Sequence, residues 1–284
     1  MTRSRYASRF LLLGLFVLLL APGAAAESIS LPRPVPSFNQ NYTDGTNNWG
    51  ICSLGMASCP DTVWESGCLV TAVASTLAYY GVTVDVSAAQ SSTGHARSGM
   101  DPGILNDWLR AHNGFESCNL VWEAIPNSVT LTQYVNRSEV GLNPVASIVI
   151  DYALRQGNPV IAGVHWNTVC RSGSSQSENC HWIVITGKVG DTYAIMDPIN
   201  WDTSSRTGVS TTLDRGTKGA YVIDRYYVVA PAPPADSDQG SADQIAENPL
   251  PATSRSPWAS VLTLLLAVAG LTAVVVLISS SGAL

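Results

Sequence analysis

The hydrophobic period of the chain changes at Gly157, and that change sets the fold class. Before it, apolar residues recur at the three-to-four spacing of one helix face. The stretch 68–81 aligns Leu69, Val73, Leu77 and Tyr80 in this way, with Ser66 as its cap and Gly81 as its stop. Asp101-Pro102-Gly103 opens a second helix that runs through Leu105, Trp108 and Leu109 to His112, and Asn113-Gly114 ends it. A third, 146–155, carries Ile148, Ile150 and Leu154 and stops at Gly157. After Gly157 the pattern is extended: 159–164, 181–186, 193–196 and 220–229 read as strands, with a tight turn at 187–191. Helices followed by an antiparallel sheet make an α+β fold, with the helical part, and the helix that Cys68 begins, packed on the sheet.

Both ends fall outside this pattern. Arg3, Arg5 and Arg9 precede an apolar run over 10–20, and Ala24-Ala25-Ala26 offers a cleavage site, so 1–26 reads as a signal peptide. Residues 27–230 form the domain. From 231 to 257 the composition narrows to Pro, Ala, Ser and Asp, a semi-extended linker. The uncharged run 258–278 is long enough to cross a bilayer as a helix, with a short tail at 279–284. The expectation is an exported, single-pass protein at the cell membrane, with its domain outside the cytoplasm. The formal net charge of -6 gives no basic surface for nucleic acid.

An exported chain with six cysteines is expected to contain disulfides. Cys52 and Cys59 lie in one Gly/Ser-rich loop, and Cys170 and Cys180 bracket a polar segment, so each pair can staple a local loop. Cys68 and Cys118 remain, either paired with each other or both free. The spacings contain no paired CxxC or HxxxH, and neither a metal nor a cofactor is expected.

Cys68 lies in the first turn of its helix, where unpaired N–H groups and the helix dipole favour a thiolate. Taken alone, it is equally a small buried hydrophobe. A nucleophilic cysteine needs a base, an orienting group for that base, and oxyanion donors. His181 opens one strand and Asp197 closes the next, so the turn between them brings both to the same end of a hairpin. His165 is a second candidate base, without an acid at hairpin spacing. Gln40 offers a side-chain N–H and Cys68 its backbone N–H to an oxyanion.

Four pieces of the sequence resemble the papain-like cysteine peptidase family 39, and more closely its secreted family-39-like domains. They are Val35-Pro-Ser-Phe-Asn-Gln40, the run from Gly67-Cys68 to Tyr80-Gly81, Gly157-Asn-Pro-Val-Ile-Ala-Gly163, and His181-Trp-Ile-Val-Ile-Thr-Gly187 with Tyr193-Ala-Ile-Met-Asp-Pro198. Pro102–Leu109 followed by Asn113-Gly-Phe115 extends the likeness, which covers about 31–230. The resemblance implies a papain-like fold and a thiol hydrolase acting on peptide amide bonds. It implies Cys68 as nucleophile, His181 as base, Asp197 as orienting acid and Gln40 as oxyanion donor. Founding members trim bacteriocin leaders, but the transporter and nucleotide-binding domains of those enzymes are missing here, so that role does not carry over. Two alternatives stand beside a peptidase: a catalytically silent surface binding module of the same fold, and a cell-wall peptide amidase.

Overall fold

The computed structural model describes residues 27–45, 47–126, 128–135, 142–166 and 180–232. The expected signal peptide, most of the linker and the expected membrane helix over 258–278 lie outside the described residues. Among the described residues no helix is long and apolar enough to cross a membrane.

The expected order, helical first and extended later, holds only in part: the strands after Gly157 are there, but β1 and β6 of the same sheet come before the last helix. Strand β1 (Ser28–Ser30) precedes the short helix α1 (Val63–Ser66) and helix α2 (Cys68–Tyr79). A small hairpin, β2 (Val84–Val86) with β3 (Arg97–Gly99), leads to α3 (Pro102–Ala111) and then to the two-residue strands β4 (Phe115–Glu116) and β5 (Asn119–Leu120). Strand β6 (Val129–Val135) and helix α4 (Pro144–Arg155) come next. They are followed by β7 (Val160–His165), β8 (Cys180–Val189), β9 (Thr192–Asp197), β10 (Val209–Thr212) and β11 (Val222–Pro231). The large sheet runs β10-β9-β8-β7-β11-β6, with β1 beside β8. All its pairings are antiparallel.

Both faces of the sheet are covered. Alternate residues of the strands serve different cores, as the period of two requires. Ile161, Val184 and Met196 pack with Val73 and Leu77 of α2. Val164, Ile183 and Ile195 pack with Ile150 and Leu154 of α4. Ile148 does not join them: it is exposed, as are Val145 and Tyr152 on the same side of α4. Asp101 caps α3 by accepting from the Ile104 N–H at 2.8 Å. Pro102 stands in the first turn, where its missing N–H costs nothing.

The start of the Cys68 helix differs from the sequence reading. Ser66 is not its cap; the Ser66 hydroxyl donates to Asp61 at 2.6 Å. Thr62 and Glu65 form a capping box on α1 instead, and Gly67 links α1 to α2. A Cβ at Gly67 would lie 2.3 Å from the Val63 carbonyl oxygen, so only glycine lets the two helices meet at this angle.

The cysteine pairing also differs. Cys59 is bonded to Cys118, with Cα atoms 4.9 Å apart, and Cys52 and Cys68 are free thiols. The expected Cys52–Cys59 staple is therefore overturned, and so is a Cys68–Cys118 bond. The cause is tertiary. Gly55 donates to the Asn106 side chain at 3.1 Å and Met56 to the Ser117 carbonyl at 3.0 Å, which lays the loop carrying Cys59 beside Cys118. Cys52 faces Ser92 instead, 3.4 Å from its hydroxyl. Cys180 is disulfide-bonded, while Cys170 lies outside the described residues. The Cys59–Cys118 bond spans a sequence separation of 59. Replacing both residues by Ala is expected to cost about 4 kcal/mol on the chain-entropy account, read as a lower urea midpoint. An unchanged midpoint would overturn the pairing.

Candidate active site

Three side chains from two regions of the sequence converge at the start of α2. Cys68 begins the helix and is half-buried. His181, the second residue of β8, and Asp197, the last of β9, are buried at 3% and 0% exposure. The β8–β9 hairpin brings them together as its register predicts: His181 Nε2 lies 2.8 Å from Asp197 Oδ1. The Cys68 thiol acts on the imidazole as well, so His181 stands between sulfur and carboxylate.

The electrostatics follow from this geometry. Burial alone would pull the His181 imidazole down, because it penalises the charged ring. The Asp197 carboxylate and the contact with Cys68 outweigh that, and His181 is pushed up to about 9. Asp197 is driven up by burial but held down more strongly by the His181 charge and the bonds from Thr217, and it settles at about 2.

Asp197 is held more tightly than the sequence suggested. Its Oδ1 also accepts the Ile199 N–H at 3.0 Å. Its Oδ2 accepts the Thr217 N–H at 3.0 Å, the Thr217 hydroxyl at 2.7 Å and the Tyr221 hydroxyl at 2.8 Å. Five donors converge on one buried carboxylate, and none of its oxygens is left to water. Sequence reasoning missed Thr217 and Tyr221. No spacing rule links them to Asp197; they arrive through the chain's return from β10 to β11. Burial raises the Tyr221 phenol, with the Asp197 charge adding to it, so this group donates at every ordinary pH. Its ring centre lies 5.8 Å from that of His181.

Gln40 is 3% exposed and bridges the two halves of the site. Its backbone N–H donates to the Pro198 carbonyl, next to Asp197, at 2.8 Å. Its side-chain Nε2 donates to the Trp64 carbonyl, four residues before Cys68, at 2.7 Å. One N–H of the amide is committed there, and Oε1 is buried with no hydrogen-bond partner. The segment is set against β9 by close backbone approach: a Cβ at Gly208 would lie 2.4 Å from the Asp197 carbonyl oxygen and 2.8 Å from that of Phe38.

His165 has an acid after all. Its Nδ1 lies 2.7 Å from Asp224 Oδ1 on β11, at the register shift between Ile223 and Arg225. A bulge re-aims the extra residue of a strand, which hairpin counting does not anticipate. His181, not His165, is the histidine on which Cys68 acts. His95 and His112 are exposed, and His112 stacks on Trp108.

Residues 33–226 match the model of the Peptidase C39 like family. A crystal structure of a candidate C39-like peptidase from Bacillus anthracis is similar at 15% identity and a TM-score of 0.35, over 71% of this chain and 97% of that one. No curated protein matches the chain.

Proposed function

The chain belongs to the Peptidase C39 like family, and from that premise we propose that it is a papain-like cysteine peptidase working through Cys68, His181 and Asp197. One observation carries this reading: a buried imidazole, bonded to a carboxylate, lies beside a free thiol that acts on it. A cysteine hydrolase needs this arrangement, and a silent binding module has no use for it. A Cys68–Cys118 disulfide would have favoured the binding module, but Cys118 is bonded to Cys59.

In the proposed reaction the thiolate of Cys68 attacks the carbonyl carbon of a peptide bond while the imidazolium of His181 holds the thiol proton. The oxyanion that forms is met by the backbone N–H of Cys68 and by the second N–H of Gln40, whose first is fixed on Trp64. Donors held in advance in this way cost no reorganisation as the charge develops. His181 passes its proton to the amine, the C–N bond breaks, and a thioester remains on Cys68. Water, deprotonated by His181, then attacks the thioester and releases the acid and the thiolate. Asp197 keeps Nε2 occupied throughout, which leaves the other ring nitrogen for the thiol and the amine.

The terminal runs of the sequence support a location. A basic-then-apolar leader over 1–26 and an uncharged run over 258–278 suit an exported domain tethered to the outer side of a membrane, where its substrates would be peptides or proteins.

The experiment is alkylation with iodoacetamide, followed by digestion of a diverse peptide mixture. Among the described residues, modification is expected on the free thiols Cys52 and Cys68, and the loss of cleavage tracks occupancy at Cys68 alone. Cleavage that persists at full Cys68 alkylation, or no cleavage by the unmodified protein, would overturn the reading.

A further inference from the structure

The side of the site that lies beyond His181 carries a charged feature that the reaction itself does not use. Trp201 is the most exposed large apolar side chain of the described residues, at 60%. A single exposed indole is unremarkable. This one is held on a cross-braced loop. Asn200 donates its N–H to the Asn39 side chain at 3.0 Å, the Asn39 amide donates to the Asp202 and Ser205 carbonyls, and Thr43 donates to the Thr203 carbonyl. Asn39 immediately precedes Gln40, so the loop is fastened to the oxyanion side of the site.

Lys218 Nζ stands 4.3 Å from the Trp201 ring centre and 6.0 Å from that of Trp166. Among the described residues it forms no ion pair. Its backbone N–H donates to the Tyr221 hydroxyl at 3.2 Å, and that hydroxyl is bonded to Asp197. Trp166 lies 6.2 Å from Tyr221, ring to ring. An ammonium between two indoles, tied through one tyrosine to the catalytic pair, is thus, among the described residues, a positive charge without a carboxylate, set in an apolar frame.

Position decides which part of a substrate meets it. His181 has Cys68 on one ring nitrogen and Asp197 on the other, and the Tyr221–Lys218 group lies on the Asp197 side. The amine takes its proton from the ring nitrogen that faces Cys68, so the bond being cleaved runs from the sulfur toward His181, and the segment after it leaves across the imidazole toward the side on which Tyr221 and Lys218 lie. We propose that Lys218, framed by Trp201 and Trp166, determines specificity for the leaving-group segment and selects peptides with a carboxylate within the first two residues after the cleaved bond. That carboxylate is an acidic side chain or the free C-terminus of the peptide. The proposal rests on the peptidase reading above.

The test uses the purified protein and quenched fluorogenic peptides that differ only after the cleaved bond. One arm compares Asp, Asn and Lys with an amidated terminus; the other compares a free with an amidated terminus behind neutral side chains. The expected preference for the carboxylate is about fivefold in kcat/KM, carried by KM, as for a partly shielded ion pair. The arm that shows it identifies which carboxylate is read. In Lys218→Met the acid-to-neutral ratio falls to about one, and in Lys218→Glu the Lys peptide becomes the better substrate. Binding of the same peptides to Cys68→Ala, followed by tryptophan emission, gives the preference without turnover. Cleavage with no charge preference in either arm overturns the subsite and leaves the peptidase standing. Charge-selective binding without cleavage by the intact protein supports the subsite and overturns the peptidase.

Discussion

Cys68→Ala and His181→Ala are each expected to lower kcat/KM by roughly 10⁴-fold or more, and the double variant is expected to be no worse than either. The two side chains act as one unit. The thiol without its base does not pass its proton on, and the base without its thiol has nothing to activate. Cys68→Ala should leave the fold intact, since Cys68 is half-buried and its helix is held by Val73 and Leu77, whereas His181→Ala leaves the buried Asp197 without its charge partner and should lower the unfolding midpoint while the domain still folds. Unaltered far-ultraviolet dichroism alongside lost turnover is the expected pair of readings. Losses that multiply in the double variant would show that the two residues contribute separately, and the assigned mechanism would fall.

Asp197→Asn is the second large effect, and its signature is the pH profile. In the native protein His181 keeps its proton up to about 9, so kcat/KM should hold through neutrality and fall as pH rises through that value. With the carboxylate gone, only burial and the thiol act on the ring, and burial favours the neutral form. The alkaline limb should then move down to the ordinary imidazole range near 6.5 or below it. A limb that stays near 9 in the variant would mean that Asp197 does not set the charge of His181. Asparagine is also a poor fit for a second reason. Five donors point at this carboxylate, and an amide would turn its NH₂ toward some of them.

The same pair governs folding stability. The folded value of His181 lies above its unfolded value near 6.5, so its contribution is complete below 6.5 and is lost as pH rises through about 9. Asp197 is depressed from 3.8 to about 2, so its contribution is present above 3.8 and is lost as pH falls through about 2. Between 3.8 and 6.5 both are present in full.

Some of this was readable in the one-dimensional pattern and some was not. Helix α2 and the β8–β9 hairpin announce themselves through local periodicity and a glycine turn. The His181–Asp197 pair follows because a hairpin converts sequence symmetry into contact. The Cys59–Cys118 bond could not be read, because it depends on where Asn106 and Ser117 place a loop. The loop cysteines Cys52 and Cys59 looked like partners only by proximity in sequence. Strand β6 alternates Val129, Leu131 and Gln133 with Thr130, Thr132 and Tyr134 and was legible in principle. The short polar β10, Val-Ser-Thr-Thr at the sheet edge, carries almost no hydrophobic signal. Thr217 and Tyr221 were hidden for a different reason: hydroxyls that brace a buried carboxylate have no preferred spacing from it.

The order of strands in the sheet bears on when the site can exist. Strand β11 is the last strand among the described residues, yet it lies inside the sheet, between β7 and β6. Tyr221, one residue before it, supplies one of the bonds that hold Asp197. A nascent or partly threaded chain that already contains Cys68, His181 and Asp197 therefore lacks both the middle of its sheet and the brace on its acid until residue 231 is free to pair. Insertion of the final strand then acts as a built-in delay. The brace on Asp197 is complete only when the whole domain has closed.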